Sequence, residues 1–310
     1  MKKNTTGKNV FFLLLFLLSI NFSMLGQMDP QYSQYMYTTT YFNPAYAGSD
    51  NCTNITGSYR SQWVGLDGAP KTASISMNAP MYKKMGVGVS LINDNIGPMQ
   101  ENNLALDLSY GLDIDNFKLA FGIKTSLNVL NVDFTKLKIY NDLDPVFASN
   151  VENQLSPNVG AGVYAYSSRF YVGLSVPQMI MTKRYNEENY SVVHRKFQTY
   201  LIGGYVFDLD YNLKFKPTFM IKNIEGAPLQ ADVSANFLYA EKFNAGISYR
   251  VGSSFSALCG FQITNNLFIG YSYDTEVTKL TNYNSGSHEL FVGFKIFKSG
   301  SSKNLEPRFF

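Results

Sequence analysis

Charge is scarce in this chain. Of 310 residues only 16% are Asp, Glu, Lys or Arg, against ~25% in a typical soluble domain. The formal net charge is +3, with the basic residues scattered, so there is no basic face for nucleic acid. Cysteine occurs only at Cys52 and Cys259. Two cysteines are too few for a disulfide-stapled scaffold and form no Cys–His metal spacing. They either pair in an oxidising compartment or, more simply, serve as two small apolar residues. Histidine is confined to His194 and His288. His194 lies beside Arg195 and Lys196 in a polar stretch. In Ser287-His288-Glu289, neighbouring strand residues point to opposite faces, so the three cannot form a triad. No Gly-x-Ser-x-Gly elbow is present. The expectation is a protein that is not an enzyme, with no catalytic, cofactor-binding or metal-ligating residue and both histidines on polar surface. Beyond the first 26 residues there is no apolar run of ~20, so no helical membrane span is expected.

What the chain does have is aromatic side chains, 22 Tyr and 24 Phe, and strict alternation. From Asn103 to Val129 the sequence reads NLALDLSYGLDIDNFKLAFGIKTSLNV. Leu104, Leu106, Leu108, Tyr110, Leu112 and Ile114 take every second position. After Asp115-Asn116, the residues Phe117, Leu119, Phe121, Ile123, Thr125, Leu127 and Val129 do the same. Asp107, Asp113, Lys118 and Lys124 fall on the opposite face. Side chains in a strand alternate between faces, so this is a hairpin of two long strands with one greasy and one wet side. Each strand is roughly 10–13 residues, longer than the ~5–6 of soluble sheets and sufficient for a tilted bilayer crossing. A soluble β-sandwich with unusually long strands is the alternative. Because lipid cannot satisfy an open edge, the membrane reading implies closure.

Further alternating segments fall at 54–63, 71–79, 85–93, 157–167, 169–177, 197–208, 211–222, 228–239, 242–250, 253–264, 266–275 and 286–297. With 103–114 and 117–131 they make about fourteen strands, an even number. The expected fold class is therefore all-β, a closed antiparallel transmembrane β-barrel. Connections after the fourth, sixth, eighth, tenth and twelfth strands are short, whereas those near 132–156, 178–196 and 276–285 are long. Short turns belong on the periplasmic side and long loops outside. Val251-Gly252 breaks the rule, being tight on the long-loop side, so either that loop is short or the strand count fails nearby. Pro217, which has no N–H for the ladder, predicts a bulge. Ile202 and Val206 put apolar groups on an otherwise wet face, where they would pack against a plug.

The wet face also carries Arg60, Asp107, Lys118, Lys124, Lys214, Lys216, Asp232, Arg250 and Glu289. Mixed signs point to paired networks in a filled barrel rather than a charge-selective pore, because lone buried charges are costly. Loop 132–156 contains Asp133, Asp142, Asp144 and Glu152. It reads as a solvated recognition loop more than a calcium site, since the ligand spacing is irregular. Loop 178–196, with Lys183, Arg184, Glu187, Glu188, Arg195 and Lys196, suits contact with lipopolysaccharide or a partner, or plain solvation.

At the start, Lys2, Lys3 and Lys8 precede VFFLLLFLLSI, the pattern of a secretory signal peptide. Residues 1–26 form this leader, with cleavage expected after Gly26 and Gln27 as the mature N-terminus. No lipobox cysteine follows it. Residues 27–51 are dense in aromatics (Tyr32, Tyr35, Tyr37, Tyr41, Phe42, Tyr46) and interrupted by Pro30 and Pro44. Rings with polar tips suit a wet cavity. This segment is expected to fold into the periplasmic mouth as an arm or plug, or else to be a tail leading to the barrel proper at 52–310.

The stretch QMDPQYSQYMYTTTYFNPAYAGS resembles the start of the PorP/SprF family of Bacteroidetes outer-membrane proteins, linked to type IX secretion and gliding motility. YRSQWVGLDGAPKT (59–72), MGVGVSLINDNIGP (85–98), GYSYDTEVTKL (270–280), GSHELFVGF (286–294) and the terminal PRFF are similar to its later blocks. Met28 is an extra residue between Gln27 and Asp29 relative to the usual Gln-Asp-Pro. The resemblance implies an outer-membrane barrel that supports export or surface attachment of a type IX-secreted protein. Its implied partners are an adhesin-like C-terminal domain, periplasmic or outer-membrane secretion components, and outer-membrane lipid. A diffusion channel or solute transporter is the competing expectation.

Overall fold

The structure, a computed structural model, describes residues 30–50, 52–137, 150–180 and 197–297. Its strands are β1 (Cys52–Ser61), β2 (Lys71–Pro80), β3 (Met85–Ile96), β4 (Met99–Ile114), β5 (Phe117–Val132), β6 (Val151–Tyr166), β7 (Phe170–Val176) and β8 (Gln198–Tyr205). They continue with β9 (Phe207–Asp210), β10 (Leu213–Ile224), β11 (Gln230–Tyr239), β12 (Phe243–Arg250), β13 (Ser254–Gln262), β14 (Leu267–Glu276) and β15 (Ser287–Phe297). β8 and β9 are two segments of one barrel strand, interrupted at Val206, so the wall has fourteen strands. Every neighbouring pair is antiparallel, and β1 pairs with β15 to close the sheet.

The alternation sorts the side chains as lipid requires. In the β4–β5 hairpin Leu104, Leu106, Tyr110, Phe121, Ile123 and Leu127 are exposed on the outer face, while Ala105, Asp107, Ser109, Lys124 and Ser126 are buried inside. Hydroxyls pair across the inner face: Thr56 with Ser76 and Ser58 with Ser74, both at 2.7 Å. Outward aromatics gather near both ends of the strands, with Tyr82, Tyr110, Phe207, Tyr239 and Phe243 at one and Tyr59, Phe255 and Tyr273 at the other. Rings that meet acyl chain and headgroup together favour those levels.

The connections confirm the two-ended pattern. The tight Val251–Ser253 turn joins β12 to β13 with the count intact, so that loop is simply short. Gly97-Pro98 makes a second tight connection at the same end, with Gly97 at φ 56°. Around Pro217 there is no bulge. Phe215 still faces Phe207 and Thr218 still faces Gly204, so the register runs through and the ladder only lapses between them. The missing N–H therefore removes pairing without inserting a residue. The register shift lies at Leu213/Lys214, beside the turn. β3, β4 and β6 run past the alternation on the long-loop side, and β4, β5 and β6 each reach 16 residues. β7 has only 7 residues and pairs with β6 from Ala161 to Tyr166. Because β4–β6 are aligned at their short-turn ends, the excess projects on the long-loop side as a raised wall, about 20 Å of extra strand.

Candidate functional site: a lumen filled by the N-terminal arm

Residues 30–50 lie inside the barrel, and nearly all of them are buried. A single α-turn at Thr39–Phe42 and a 3-10 turn at Pro44–Tyr46 shape the segment. Asn43 caps the second turn by accepting from the Ala45 N–H at 2.9 Å, as an N-cap side chain does. The arm spans the lumen rather than one mouth. Ser33 meets Arg60, Asp274 and Glu289, which lie at the long-loop ends of β1, β14 and β15. Tyr37 stacks on Phe291 at 5.1 Å and bonds Asn244, towards the short-turn end. Asp50 meets Lys295 at 3.1 Å, where the arm enters β1.

Polar groups of the wall hold the arm's backbone. Lys124 Nζ donates to Thr40 O at 3.1 Å, Ser109 Oγ to Ala47 O at 2.6 Å, and Ser175 Oγ to Phe42 O at 2.9 Å. Asn43 Nδ2 donates to Val163 O at 3.0 Å. Rings fill the space between: Phe42 lies 5.1 Å from Tyr200, and Tyr46 lies edge-on to Tyr164 at 5.6 Å. Close approach needs glycine on the wall. A Cβ on Gly122 would stand 2.2 Å from Ala45 N, and one on Gly86 2.2 Å from Ala47 O.

Three groups of paired charges line the lumen besides Asp50–Lys295. Arg60 bonds Asp274 at 2.6 Å and Glu289 at 3.1 Å. Ser33 joins them through its N–H to Glu289 at 2.8 Å and its hydroxyl to Asp274 at 2.5 Å. Arg250 bonds Asp232 at 2.7 Å and reaches the arm at Gln31 Oε1 (2.8 Å) and Tyr32 O (3.3 Å). Lys124 bonds Asp107 at 3.0 Å. Three of the nine wet-face charges sit elsewhere; one is Lys216, which is buried with its ammonium 5.6 Å from the Tyr37 ring of the arm. Lys118 is exposed at the short-turn end near Asp113, and Lys214 bonds Glu241 at 2.9 Å. Asp274, Arg60's nearest partner, was not singled out from sequence. Its strand carries Tyr271 and Tyr273 on the outer face, and only the period of two marks Asp274 as inward. Ile202 joins the buried cluster with the arm's Tyr32, Tyr35 and Phe42, whereas Val206 packs with Leu238 instead.

Cys52 is buried on the inner face and Cys259 is exposed on the outer one, so the two do not pair with each other. His288 bonds Tyr271 at 2.6 Å on the outer face, with Glu289 inside. Of the four acids of loop 132–156, two are described. Asp133 caps the turn at Phe134–Lys136, and Glu152 belongs to strand β6. Asp142 and Asp144 fall outside the described residues, as do His194 and the charged residues at 183–196. Thr135, through its hydroxyl and N–H, holds the Asp133 carboxyl below its usual range. Among the described residues no group of three or more His, Cys, Asp or Glu is placed to hold a metal.

A closed, antiparallel wall with a greasy exterior and an interior packed by its own arm defines an outer-membrane β-barrel. Several solved outer-membrane proteins align with the chain. The CymD monoaromatic hydrocarbon channel aligns with TM-score 0.50 at 10% identity, covering 88% of this chain and 95% of that one. The P. putida toluene transporter TodX gives 0.49 at 8%, covering 84% and 94%. Omp33 of Acinetobacter baumannii gives 0.47 at 11%, covering 80% and 100%. Identities this low speak to fold alone. No curated protein sequence matches the chain. The sequence profile of the type IX secretion system membrane protein PorP/SprF family matches residues 24–294, and the chain belongs to that family. It is a type IX secretion barrel of the outer membrane.

Proposed function

We propose that this barrel is a non-enzymatic docking platform for a protein exported by the type IX machinery. Its long-loop face holds the exported protein's C-terminal domain, and its short-turn face meets periplasmic or outer-membrane secretion components. The observation that carries this reading is the occupied lumen: the arm fills the interior and two arginine–carboxylate groups grip it near the outer end. A solute pore needs an open aqueous path, whereas a platform needs a rigid, closed body. The raised β4–β6 wall adds surface beyond the membrane on one side. The reading includes removal of the leader after Gly26, which lets the arm thread the lumen.

The test has two arms. Planar-bilayer recordings of the purified barrel should show no large steady conductance, and cells lacking the barrel should release exported surface protein into the medium. A large open conductance with solute flux in the unaltered protein favours the channel reading, and unchanged surface retention in the deletion strain overturns docking.

A further inference from the structure

At the short-turn end a cleft opens between the arm and the inner side of the wall from β2 to β6. It holds about 130 Å³ of solvent-sized space, room for about ten waters, or for one acidic side chain and the main chain that carries it. Glycines line it where arm and wall meet: Gly48 of the arm, Gly86 of β3 and Gly111 of β4. Toward the lumen the arm shuts it. The Ser109 hydroxyl donates to Ala47 O at 2.6 Å, and Gly86 lies directly against the same carbonyl. The cleft is therefore blind, with its mouth at the short turns.

Three lysines and one aspartate line this cleft: Lys83 and Lys84 of the β2–β3 turn, Asp113 of β4 and Lys118 of β5. Asp113 and Lys118 are cross-strand partners in the same inward file as Asp107 and Lys124. The charge thus faces the barrel's mouth and not the lipid headgroups around it. Asp113 is shared, 3.3 Å from Lys84 and 4.0 Å from Lys118, with the three side chains 62%, 44% and 51% exposed. Pairs so long and so wet contribute little, and one carboxylate leaves the set with an excess of positive charge. Lys83 has no carboxylate partner among the described residues; its ammonium lies 5.2 Å from the ring of Tyr82, itself exposed. A separate feature marks the same turn. Lys83 is its first central residue, at φ 50°. Glycine or asparagine takes that conformation at lower cost, so what lysine adds there is its ammonium and not the turn.

We infer that this cleft holds an acidic side chain on an extended segment of a periplasmic protein of the secretion machinery. The carboxylate sits among Lys83, Lys84 and Lys118, and the segment's main chain lies along the glycines, which carry no Cβ to hold it off. Several ammonium groups around one carboxylate make the charge-assisted hydrogen bonds that Asp113 supplies only loosely. A glycan strand fits less well. The ring in the lining, Tyr166, is buried and packs on Tyr164 at 5.3 Å, so it offers a sugar no open face. The inference deepens the docking reading and rests on it for the partner being a secretion component.

The probe is acetyl-Gly-Glu-Gly-Glu-Gly-amide, titrated calorimetrically at low salt into the full-length barrel in detergent. The matching glutamine peptide, inorganic phosphate and a disaccharide–tetrapeptide fragment of peptidoglycan serve as comparisons. Saturable binding of the acidic peptide is expected, about tenfold or more tighter than the glutamine peptide and fading as salt rises. It should weaken at least about tenfold in Lys83→Gln/Lys118→Gln and persist in Lys83→Arg/Lys118→Arg. Arg169→Gln/Lys242→Gln removes two charges from the same end outside the cleft and should leave binding unchanged. Heat-modifiable gel migration reports that each variant is folded. No saturable binding overturns the inference. So does equal binding of the glutamine peptide, tighter binding of phosphate or of the peptidoglycan fragment, or an equal loss in the distal pair. The titration reads the cleft and the deletion strain reads docking, so the two fail separately. If the deletion strain sheds exported protein but the barrel binds no acidic peptide, docking stands and the cleft falls. If the peptide binds as expected but the deletion strain retains its surface protein, docking falls, and with it the assignment of the partner to the secretion machinery.

Discussion

Removing Arg60 is the sharpest perturbation of the filled lumen. Its guanidinium faces Asp274 and Glu289, whose side chains are 1% and 0% exposed, and also touches the Ser33 hydroxyl of the arm. Arg60→Met keeps most of the stem but leaves two buried carboxylates without their cation. Breaking a buried pair from one side costs about 3–5 kcal/mol, roughly two to four decades in an equilibrium constant. The cost falls on the arm's outer anchor, because Glu289 and Asp274 also hold Ser33. Arg169–Asp208 is the internal control. It has a short 2.7 Å contact, but its side chains are 57% and 43% exposed, so Arg169→Ala should cost under ~1 kcal/mol. The assay is denaturant unfolding in detergent followed by Trp63 fluorescence, together with single-channel recording. Arg60→Met should unfold at clearly lower denaturant and show added conductance from a loosened arm. Arg60→Met/Asp274→Asn/Glu289→Gln should recover part of the loss, since no uncompensated charge remains. If Arg60→Met is as stable and as closed as Arg169→Ala, the clasp does not hold the arm.

Other outcomes follow from the same geometry. Gly122→Leu drives a side chain into the Pro44–Ala45 backbone and should destabilise by about 1–3 kcal/mol while raising conductance. Gly57→Ala, whose added Cβ would meet nothing closer than 3.9 Å, should be silent in both recordings. Gln31→Cys lies at the long-loop end of the arm, beside Arg250, and should react with a membrane-impermeant maleimide on intact cells; labelling only after the outer membrane is breached would reverse the assigned sidedness. Asp133 is stabilised as the carboxylate by Thr135. Its cap is thus fully present above the ordinary aspartate range and is lost as pH falls through the lowered folded value. Protection of the Thr135 amide, its exchange relative to the intrinsic rate at each pH, should hold steady from neutral to mildly acidic pH and fall only below that range; loss of protection well above it would contradict the cap.

The wall was legible because lipid imposes a rule of period two on every stretch it touches. The hairpin at Asp115-Asn116, the strand number and the outward face of each strand follow from that rule alone. Where the sheet leaves the lipid the rule lapses, and so did the reading. Gln100 and Asn102 on β4, and Asn93 and Asn95 on β3, continue the ladder with polar outer faces. Without a greasy stripe they resemble loop, and the first residues of β6 were hidden in the same way. Pro217 pointed to a real weakness in the ladder but not to its form, because register is set by both neighbours.

The arm's density of tyrosine marked it as cavity-filling, yet its path could not be read. No local pattern states that Ser33 reaches the outer rim while Asp50 stays at the inner one. The amino-acid sequence by itself determined the barrel: alternation is a local property, and a bilayer reads it residue by residue. Only the tertiary structure decided which charges meet, that Asp94 faces Glu101 and that Arg60 reaches Asp274. Those contacts depend on closure and on the register of strands far apart in the chain, and no short stretch of sequence encodes them.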